Sequence, residues 1–158
     1  HALHKVIGSV DTLFINESEA HLIGETNHTI NASQNIRDMG VDTVILKRGE
    51  YGAMTLSTNP LFLAPAYPVT NVVDPTGAGD AFAGGVMGYL ASRQSHTDSE
   101  IRQAVVIGSV MASFAVESFG PYRLAKATAQ EIQERIHALE TFVGWNSLTK
   151  NVLPLRDF

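Results

Sequence analysis

The sequence predicts an α/β domain in which helices flank a mostly parallel sheet, and two observations support this fold class. Residues 31–39 have helical spacing and end at Gly40, and a β-favouring segment, 41–46, follows directly. A second strand is predicted to end near Val73, where residues 70–73 lead through a turn of small residues into a helix predicted for 78–90. Helices that alternate with strands in this order are typical of a sheet covered by helices.

Length and composition exclude several classes of protein. The chain has 158 residues, so one domain spanning 1–158 with a sizeable core is predicted. Its net charge of -5 gives no general attraction to nucleic acid or to an anionic membrane. The absence of cysteine excludes disulfides and cysteine nucleophiles and fits a cytoplasmic location. The longest nearly apolar run, 104–116, is too short to span a bilayer, so a soluble protein is predicted.

The first predicted strand, 12–15, ends at a polar cluster that opens a helix predicted for 18–23. Within this cluster, Asn16 and Glu19 have two interpretations. They could cap the helix start through their side-chain oxygens. They could also face a site at the carboxyl end of the strand, where amide and carboxylate oxygens suit Mg²⁺ or its water shell. The spacing leaves both interpretations open.

Two hairpin strands, 53–56 and 61–64, are predicted after the strand that precedes Lys47. The turn before them contains Gly49 and Gly52, which could be present only because the backbone needs a positive φ. Alternatively, these glycines let the backbone approach a flat ligand while Lys47 reaches a phosphate. Both interpretations stay open here as well.

The turn before the helix at 78–90 is predicted to bind phosphate. The first N–H groups of a helix lack intrahelical partners and lie at the positive end of its dipole, which favours an anion. Gly77 and Gly79 keep side chains away from that position. Asp80 follows, and a carboxylate there would repel phosphate unless it accepts a proton from the attacking nucleophile. Asp80 is therefore a candidate general base, and the alternative is an acidic residue in the first turn of the helix.

Two better-known glycine motifs do not fit this turn. A P-loop requires Gly-Lys-Ser or Gly-Lys-Thr, whereas Asp80 and Ala81 follow Gly79. The dinucleotide fingerprint requires a third glycine where Phe82 stands, and the region after Gly85 is predicted as helix and loop. A dinucleotide-dependent oxidoreductase is therefore disfavoured.

Capping boxes predict two more helices, from Thr97 to about residue 118 and from Thr128 to about residue 139. Trp145 beside Phe142 is predicted to pack the C-terminal segment onto the body. The six histidines are scattered without ligand spacing, so no zinc site is expected. Close helix packing is predicted at the small residues Ala81, Gly84, Gly85 and Gly88.

Three motifs together resemble a known family. Residues 74–85, DPTGAGDAFAGG, closely resemble the C-terminal signature of ribokinase-like carbohydrate kinases, also called the phosphofructokinase B family. Residues 16–19 resemble the Asn-x-x-Glu motif of that family, and residues 47–52 resemble its Gly-x-x-Gly nucleotide loop. The three motifs occur in the order that the family has.

The resemblance implies ATP-dependent phosphoryl transfer to a hydroxyl of a sugar or nucleoside. It implies ATP and Mg²⁺ as cofactors and leaves a monovalent cation open as a third. Asp80 would deprotonate the acceptor hydroxyl, and Lys47 stands where many relatives have threonine. The implied site has Asp80, Gly77, Ala78 and Gly79 as catalytic residues, Lys47, Gly49, Gly52, Asn16 and Glu19 as cofactor-binding residues, and Asn16 and Glu19 around the metal.

The resemblance covers nearly the whole chain but only the later half of the family pattern. It implies a ribokinase-like fold whose N-terminal half and lid are missing, with the chain as the C-terminal, ATP-binding part. An open sheet edge is then expected, which the missing half or a homo-oligomer would cover. The expected partner is a small sugar or nucleoside, with no nucleic acid and no membrane. The alternative function is a non-catalytic nucleotide-binding or assembly fragment.

Overall fold

The computed structural model describes residues 2–57 and 61–143, so the predicted packing of Trp145 lies outside the described residues. Helices and strands alternate through the first half, and helices dominate the second. A 3₁₀ turn, Gly49–Tyr51, lies between the second and third strands. In chain order the elements are α1 (Ala2–Ile7), β1 (Thr12–Asn16), α2 (Glu17–Ile23), α3 (Thr29–Arg37), β2 (Thr43–Lys47), β3 (Ala53–Leu56), β4 (Phe62–Ala64), α4 (Ala78–Ala91), α5 (Asp98–Ala115), α6 (Tyr122–Ala125) and α7 (Ala129–Val143).

The described strands form one four-stranded sheet in the order β1-β2-β3-β4. β1 and β2 are parallel, and Asn16 at the end of β1 lies opposite Lys47 at the end of β2. β2, β3 and β4 pair antiparallel, as the two predicted hairpins require. The α/β class is confirmed, and the parallel part of the described sheet is its β1–β2 pair.

The core lies on both faces of the sheet because side chains alternate along β2. Val44 and Leu46 point to one face, where they join a cluster with Ile36 of α3. Ile45 points to the other face and packs with Phe82 of α4. The three β2 side chains are fully buried, as expected for a strand covered by helices on both sides. The helices α1 to α3 therefore cover one face, and α4 and α5 cover the other.

The segment before α4 corrects one prediction, because residues 70–73 do not form a strand. The N–H groups of Val73 and Asp74 both donate to the carbonyl oxygen of Val116, at 2.8 and 3.2 Å. The segment is therefore attached to the end of α5 instead of a neighbouring strand. Val72 is 56% exposed, so the apolar pattern that predicted a strand does not reflect burial on a sheet.

Polar caps define the starts of three helices. Asn16 and Glu19 form a capping box at α2, and Thr97 and Glu100 form one at α5. At α7, the carboxylate of Glu131 accepts from the N–H and the hydroxyl of Thr128, each at 2.9 Å. These bonds, with Arg123 as a further partner, lower the pKa of Glu131 to about 2. The helix starts predicted at 97 and 128 are confirmed.

No helix within the described residues is long and apolar enough to cross a membrane.

The contact between α4 and α5 depends on two glycines. A Cβ atom on Gly108 would lie 2.7 Å from Val86 Cγ2 and 2.8 Å from the carbonyl oxygen of Phe82. A Cβ atom on Gly85 would lie 2.8 Å from Met111 Cγ. Gly84 and Gly88 face open space instead, so the predicted close packing is confirmed at Gly85 and wrong at those two.

Replacing Gly108 with alanine is expected to destabilise the chain by about 1–3 kcal/mol, because the added methyl group overpacks the contact between α4 and α5. Gly84→Ala is the matched control. Its methyl group meets nothing within 4 Å, so helix propensity alone should stabilise the chain by about 0.5–1 kcal/mol. Urea unfolding of both variants measures the difference. Equal effects of the two substitutions would contradict the packing described for Gly108.

Candidate active site

One open cavity of about 500 Å³ lies beside the carboxyl end of β2, within the size range of small-molecule sites. Ligands of open α/β sheets bind at the carboxyl ends of parallel strands, and this cavity has that position. Its lining includes five of the residues that the sequence predicted for the site: Lys47, Gly49, Gly52, Ala78 and Gly79.

The start of α4 forms part of the cavity wall, to which Ala78 and Gly79 belong. Gly77, the N-cap, has a φ of 82°, a left-handed conformation that glycine adopts readily. The first helical bond runs from Ala81 N–H to the carbonyl oxygen of Gly77, at 2.9 Å. Within the described residues, the N–H groups of Gly79 and Asp80 have no hydrogen-bond acceptor. This helix start therefore offers free donors to an anion.

Lys47 brings a positive charge to the same place. A Cβ atom on Gly79 would lie 3.1 Å from Lys47 Nζ, so a side chain at residue 79 would displace the ammonium group. No carboxylate in the described part of the chain lies within ion-pair distance of Lys47. A cation beside a helix N-terminus is unfavourable by itself, because the helix dipole is positive there. An anion between the two would remove this repulsion.

Two carboxylates belong to the turn that starts α4. Asp80 lies in the first turn of α4. Asp80 and Gly77 are both exposed, and neither lines the cavity. Asp74 accepts a hydrogen bond from the N–H of Thr76 at 2.9 Å. This bond lowers the pKa of Asp74, so its carboxylate is ionised at neutral pH and holds the turn. The structure thus adds Asp74 to the predicted residues as a support of the turn.

Asn16 and Glu19 lie one strand away from the cavity. Asn16 Oδ1 accepts from Glu19 N–H at 2.8 Å, and Glu19 Oε2 accepts from Asn16 N–H at 2.9 Å. Capping is therefore the interpretation that the contacts support. Neither side chain lines the cavity, although the register places Asn16 beside Lys47. One carboxylate oxygen of Glu19 is left without a partner in the described residues.

The turn between β2 and β3 needs both of its glycines. Gly49 has a φ of 55° and faces open space, whereas Gly52 has a φ of 89° and approaches β4. A Cβ atom on Gly52 would lie 2.0 Å from the carbonyl oxygen of Ala64. The positive φ explains both glycines, and both also line the cavity, so the two predicted interpretations are compatible.

Charged side chains hold this turn against α2. Glu17 accepts from the hydroxyl of Thr29 at 2.8 Å, and its carboxylate lies 3.4 Å from Arg48 Nε. The hydrogen bond from Thr29, followed by the charge of Arg48, lowers the pKa of Glu17. The turn that follows Lys47 is therefore tied to the helix that follows Asn16.

Comparison with known proteins identifies the family. The model of the pfkB family of carbohydrate kinases matches residues 1–128. The chain belongs to this family. Its relatives include the aminoimidazole riboside kinase of Salmonella typhimurium, 31% identical over 106 residues, which cover 67% of this chain and 33% of the relative. The cytidine kinase of Thermococcus kodakarensis is 35% identical over 94 residues, 58% of this chain and 34% of the relative. The chain thus spans about a third of the length of these relatives.

Solved structures of pfkB-type kinases share this fold. Aminoimidazole riboside kinase from Salmonella enterica, complexed with aminoimidazole riboside and an ATP analog, superposes with a TM-score of 0.76 at 25% identity. The match covers 85% of this chain and 44% of that one. A putative ribokinase II from E. coli, in complex with ATP and Mg²⁺, has a TM-score of 0.71 at 34% identity, covering 87% and 42%. The predicted ribokinase-like fold is confirmed.

One part of the cavity wall was missed by sequence reasoning. It consists of the segment from Ala66 to Val69 and of one face of α5. Ser109 and Ser113 are buried on that face, four residues apart in a helix that is otherwise mostly apolar. These two hydroxyls were the sequence signal for this part of the wall. Buried polar groups in an apolar helix require hydrogen-bond partners, so a pair of them on one face indicates a polar contact there.

Gly52→Ala is expected to destabilise the chain by about 3 kcal/mol or more, because a positive φ is combined with a collision against β4. Gly49→Ala is the matched control. Its methyl group meets nothing within 4 Å, so the chain should lose only about 1–2 kcal/mol of stability, which is the cost of a positive φ for alanine. Thermal unfolding of both variants provides the comparison. A Gly52→Ala variant as stable as Gly49→Ala would show that β4 does not hold the turn.

Proposed function

We propose that this chain is the nucleotide-binding and catalytic-base half of an ATP-dependent kinase that phosphorylates a hydroxyl of a sugar or nucleoside. One observation carries the proposal. Lys47 and the start of α4, whose N–H groups at Gly79 and Asp80 have no acceptor in the described residues, lie together at the cavity. The names of the relatives, among them cytidine kinase, ribokinase and deoxyribokinase, support the class of acceptor.

The lining of the cavity offers two kinds of chemistry. Tyr67, Val69, Phe82 and Val116 contribute apolar surface, which suits the flat face of a nucleobase. Lys47 and the start of α4 offer a positive charge and backbone donors, which suit phosphates. A nucleoside triphosphate that lies along the cavity would place its terminal phosphate against α4. Solved relatives bound to ATP or an ATP analog support ATP as the donor.

The transfer itself requires a base, donors for the developing charge and good alignment. Asp80 is exposed and, within the described residues, its carboxylate accepts no hydrogen bond, so it is free to accept a proton. The acceptor hydroxyl gives its proton to Asp80, and its oxygen attacks the terminal phosphorus. The bond from that phosphorus to the bridging oxygen breaks, and the nucleoside diphosphate leaves. The N–H groups of Gly79 and Asp80 stabilise the charge on the transferred group.

Mg²⁺ fits this chain only as an ion that arrives with the nucleotide. Among the described residues no cluster of three or more His, Cys, Asp or Glu side chains could hold a metal. Glu19 has one carboxylate oxygen free, and Asn16 lies beside it. Mg²⁺ is usually held by one or two carboxylates together with phosphates and water, which matches this donor set. When bound, the ion supplies neutralisation of phosphate charge. The monovalent cation stays a prediction.

A non-catalytic nucleotide-binding fragment is the second candidate function. It is favoured by one observation, which is that Asp80, the proposed base, does not line the cavity. In that case the chain binds ADP, and the complete protein transfers no phosphate to any sugar or nucleoside. Paired binding and transfer assays separate the two functions.

The chain is expected to bind ADP with Mg²⁺ more tightly than NAD, and Lys47→Met should weaken ADP binding about 10–100-fold. This range follows from the loss of a charge-assisted hydrogen bond to phosphate. Calorimetry on the 158-residue chain provides the measurement. Lys126→Met, an exposed lysine at the end of α6, is the control and should bind as the parent does. Tighter binding of NAD would count against the proposed site.

Asp80→Asn is expected to lower phosphoryl transfer by about 10²–10⁴-fold in the kinase that contains this chain, because the amide cannot accept the proton. ADP affinity should stay constant or rise, since a negative charge leaves the phosphate site. Turnover is measured with a panel of sugars and nucleosides, and Asp42→Asn, an exposed and remote position, is the control. Turnover of Asp80→Asn within about threefold of the parent would reduce Asp80 to a helix-terminal acid.

A further inference from the structure

Arg135 on α7 is enclosed by residues of other elements. Its side chain is only 13% exposed. Nη1 donates to the hydroxyl of Ser113 at 2.7 Å, and Nη2 donates to Glu117 Oε1 at 2.6 Å. The guanidinium carbon lies 3.7 Å from the ring centroid of Phe114 and 4.8 Å from that of Tyr67. One side chain therefore joins α7, α5 and the segment before α4.

Two of these contacts belong to the cavity, because Ser113 and Tyr67 line it. The hydroxyl of Ser113 donates to the carbonyl oxygen of Val110 at 2.5 Å and accepts from Arg135. Its donor is therefore used, and its orientation is fixed. The ring of Tyr67 has Arg135 as one neighbour and Phe142 as another, at a centroid distance of 6.3 Å. Both wall residues thus depend on the guanidinium group of Arg135.

Charge compensation makes this arrangement stable. Glu117 accepts from Arg135 and also lies 3.2 Å from Arg123 Nε. Arg123 in turn pairs with Glu131 at 2.7 Å, so two guanidinium groups meet two carboxylates. A guanidinium group is planar and can stack on a ring while it donates several hydrogen bonds in fixed directions. A lysine could not make the same set of contacts.

We propose that Arg135 is a positioning residue for the nucleotide pocket, which it preforms by fixing Tyr67 and Ser113 on the cavity wall. The inference rests on the proposed function in so far as the ligand is a nucleotide. Arg135 lies beyond residues 1–128, where the family match ends, so its role follows from the contacts alone. A wall that is ordered before binding reduces the entropy that the ligand must otherwise overcome.

Arg123 provides a matched control for Arg135. It shares Glu117 with Arg135, and its guanidinium carbon lies 4.7 Å from the same Phe114 ring. Its side-chain partners in the described residues, Glu117, Glu131 and Phe114, do not line the cavity. A loss of general stability should therefore follow from substitution of either arginine, whereas a loss of wall order should follow from Arg135 alone.

The experiment compares Arg135→Met, Arg135→Lys and Arg123→Met in the 158-residue chain. ADP affinity is measured by calorimetry, and melting temperature by thermal unfolding. Nitration of Tyr67 by tetranitromethane in the absence of nucleotide measures how accessible this wall residue is to the reagent. Peptide mass spectrometry quantifies the nitration. Tyr51 and Tyr122, each 71% exposed, are internal references for the reagent. Arg135→Lys carries the test if Arg135→Met does not fold.

Both Arg135 variants are expected to bind ADP about three- to tenfold more weakly, the cost of ordering an aromatic wall residue on binding. Nitration of Tyr67 should rise toward the rate of Tyr51. Arg123→Met should lower the melting temperature while both other readouts stay at the parental values. Unchanged Tyr67 nitration in the Arg135 variants, or equal changes in Arg123→Met, would overturn the proposal. A parent that binds no ADP, with Tyr67 freed in the Arg135 variants, would refute the nucleotide function and leave the positioning role standing.

Discussion

The close contact between α4 and α5 is the constraint on which the rest of the site depends. Gly85 and Gly108 bring the two helices so near that added Cβ atoms would collide with side chains and backbone. This contact fixes the start of α4 relative to α5. The end of α5 then holds the segment before α4 through Val116, and the middle of α5 holds Arg135 through Ser113. One helix therefore positions both the segment before α4 and the wall residue Ser113.

The charges at the start of α4 favour a bound anion. Lys47 and the free N–H groups of α4 lie together without a carboxylate partner in the described residues, which is unfavourable for the empty protein and favourable for a bound anion. Two acidic side chains near the cavity have structural tasks, whereas Glu50 lines the cavity itself. Asp74 supports its own turn, and Glu17 anchors Arg48. A binding site with this charge pattern fits the kinase family to which the chain belongs.

Sequence reasoning was most successful where local chemistry decides the structure. Caps and glycines predicted the start of α4 and the turn after Lys47, because these features act within a few residues. It failed at residues 70–73, since the two adjacent apolar residues Val72 and Val73 do not show whether a strand partner exists. It also missed Tyr67 and Ser113, whose place at the cavity depends on how α5 and α7 pack together. The catalytic role of Asp80 stays a prediction.

The shared carbonyl of Val116 has a consequence for the order of folding. It accepts bonds from Val73 and Asp74, which are separated from it along the chain by the whole of α4 and the whole of α5. Such a contact closes a long loop, so its entropic cost is met only after α4 and α5 have paired. We therefore expect the cavity to form after the contact between α4 and α5 and to open before that contact on heating. A ligand that binds only the native state would lower the fraction of molecules in which the cavity is open.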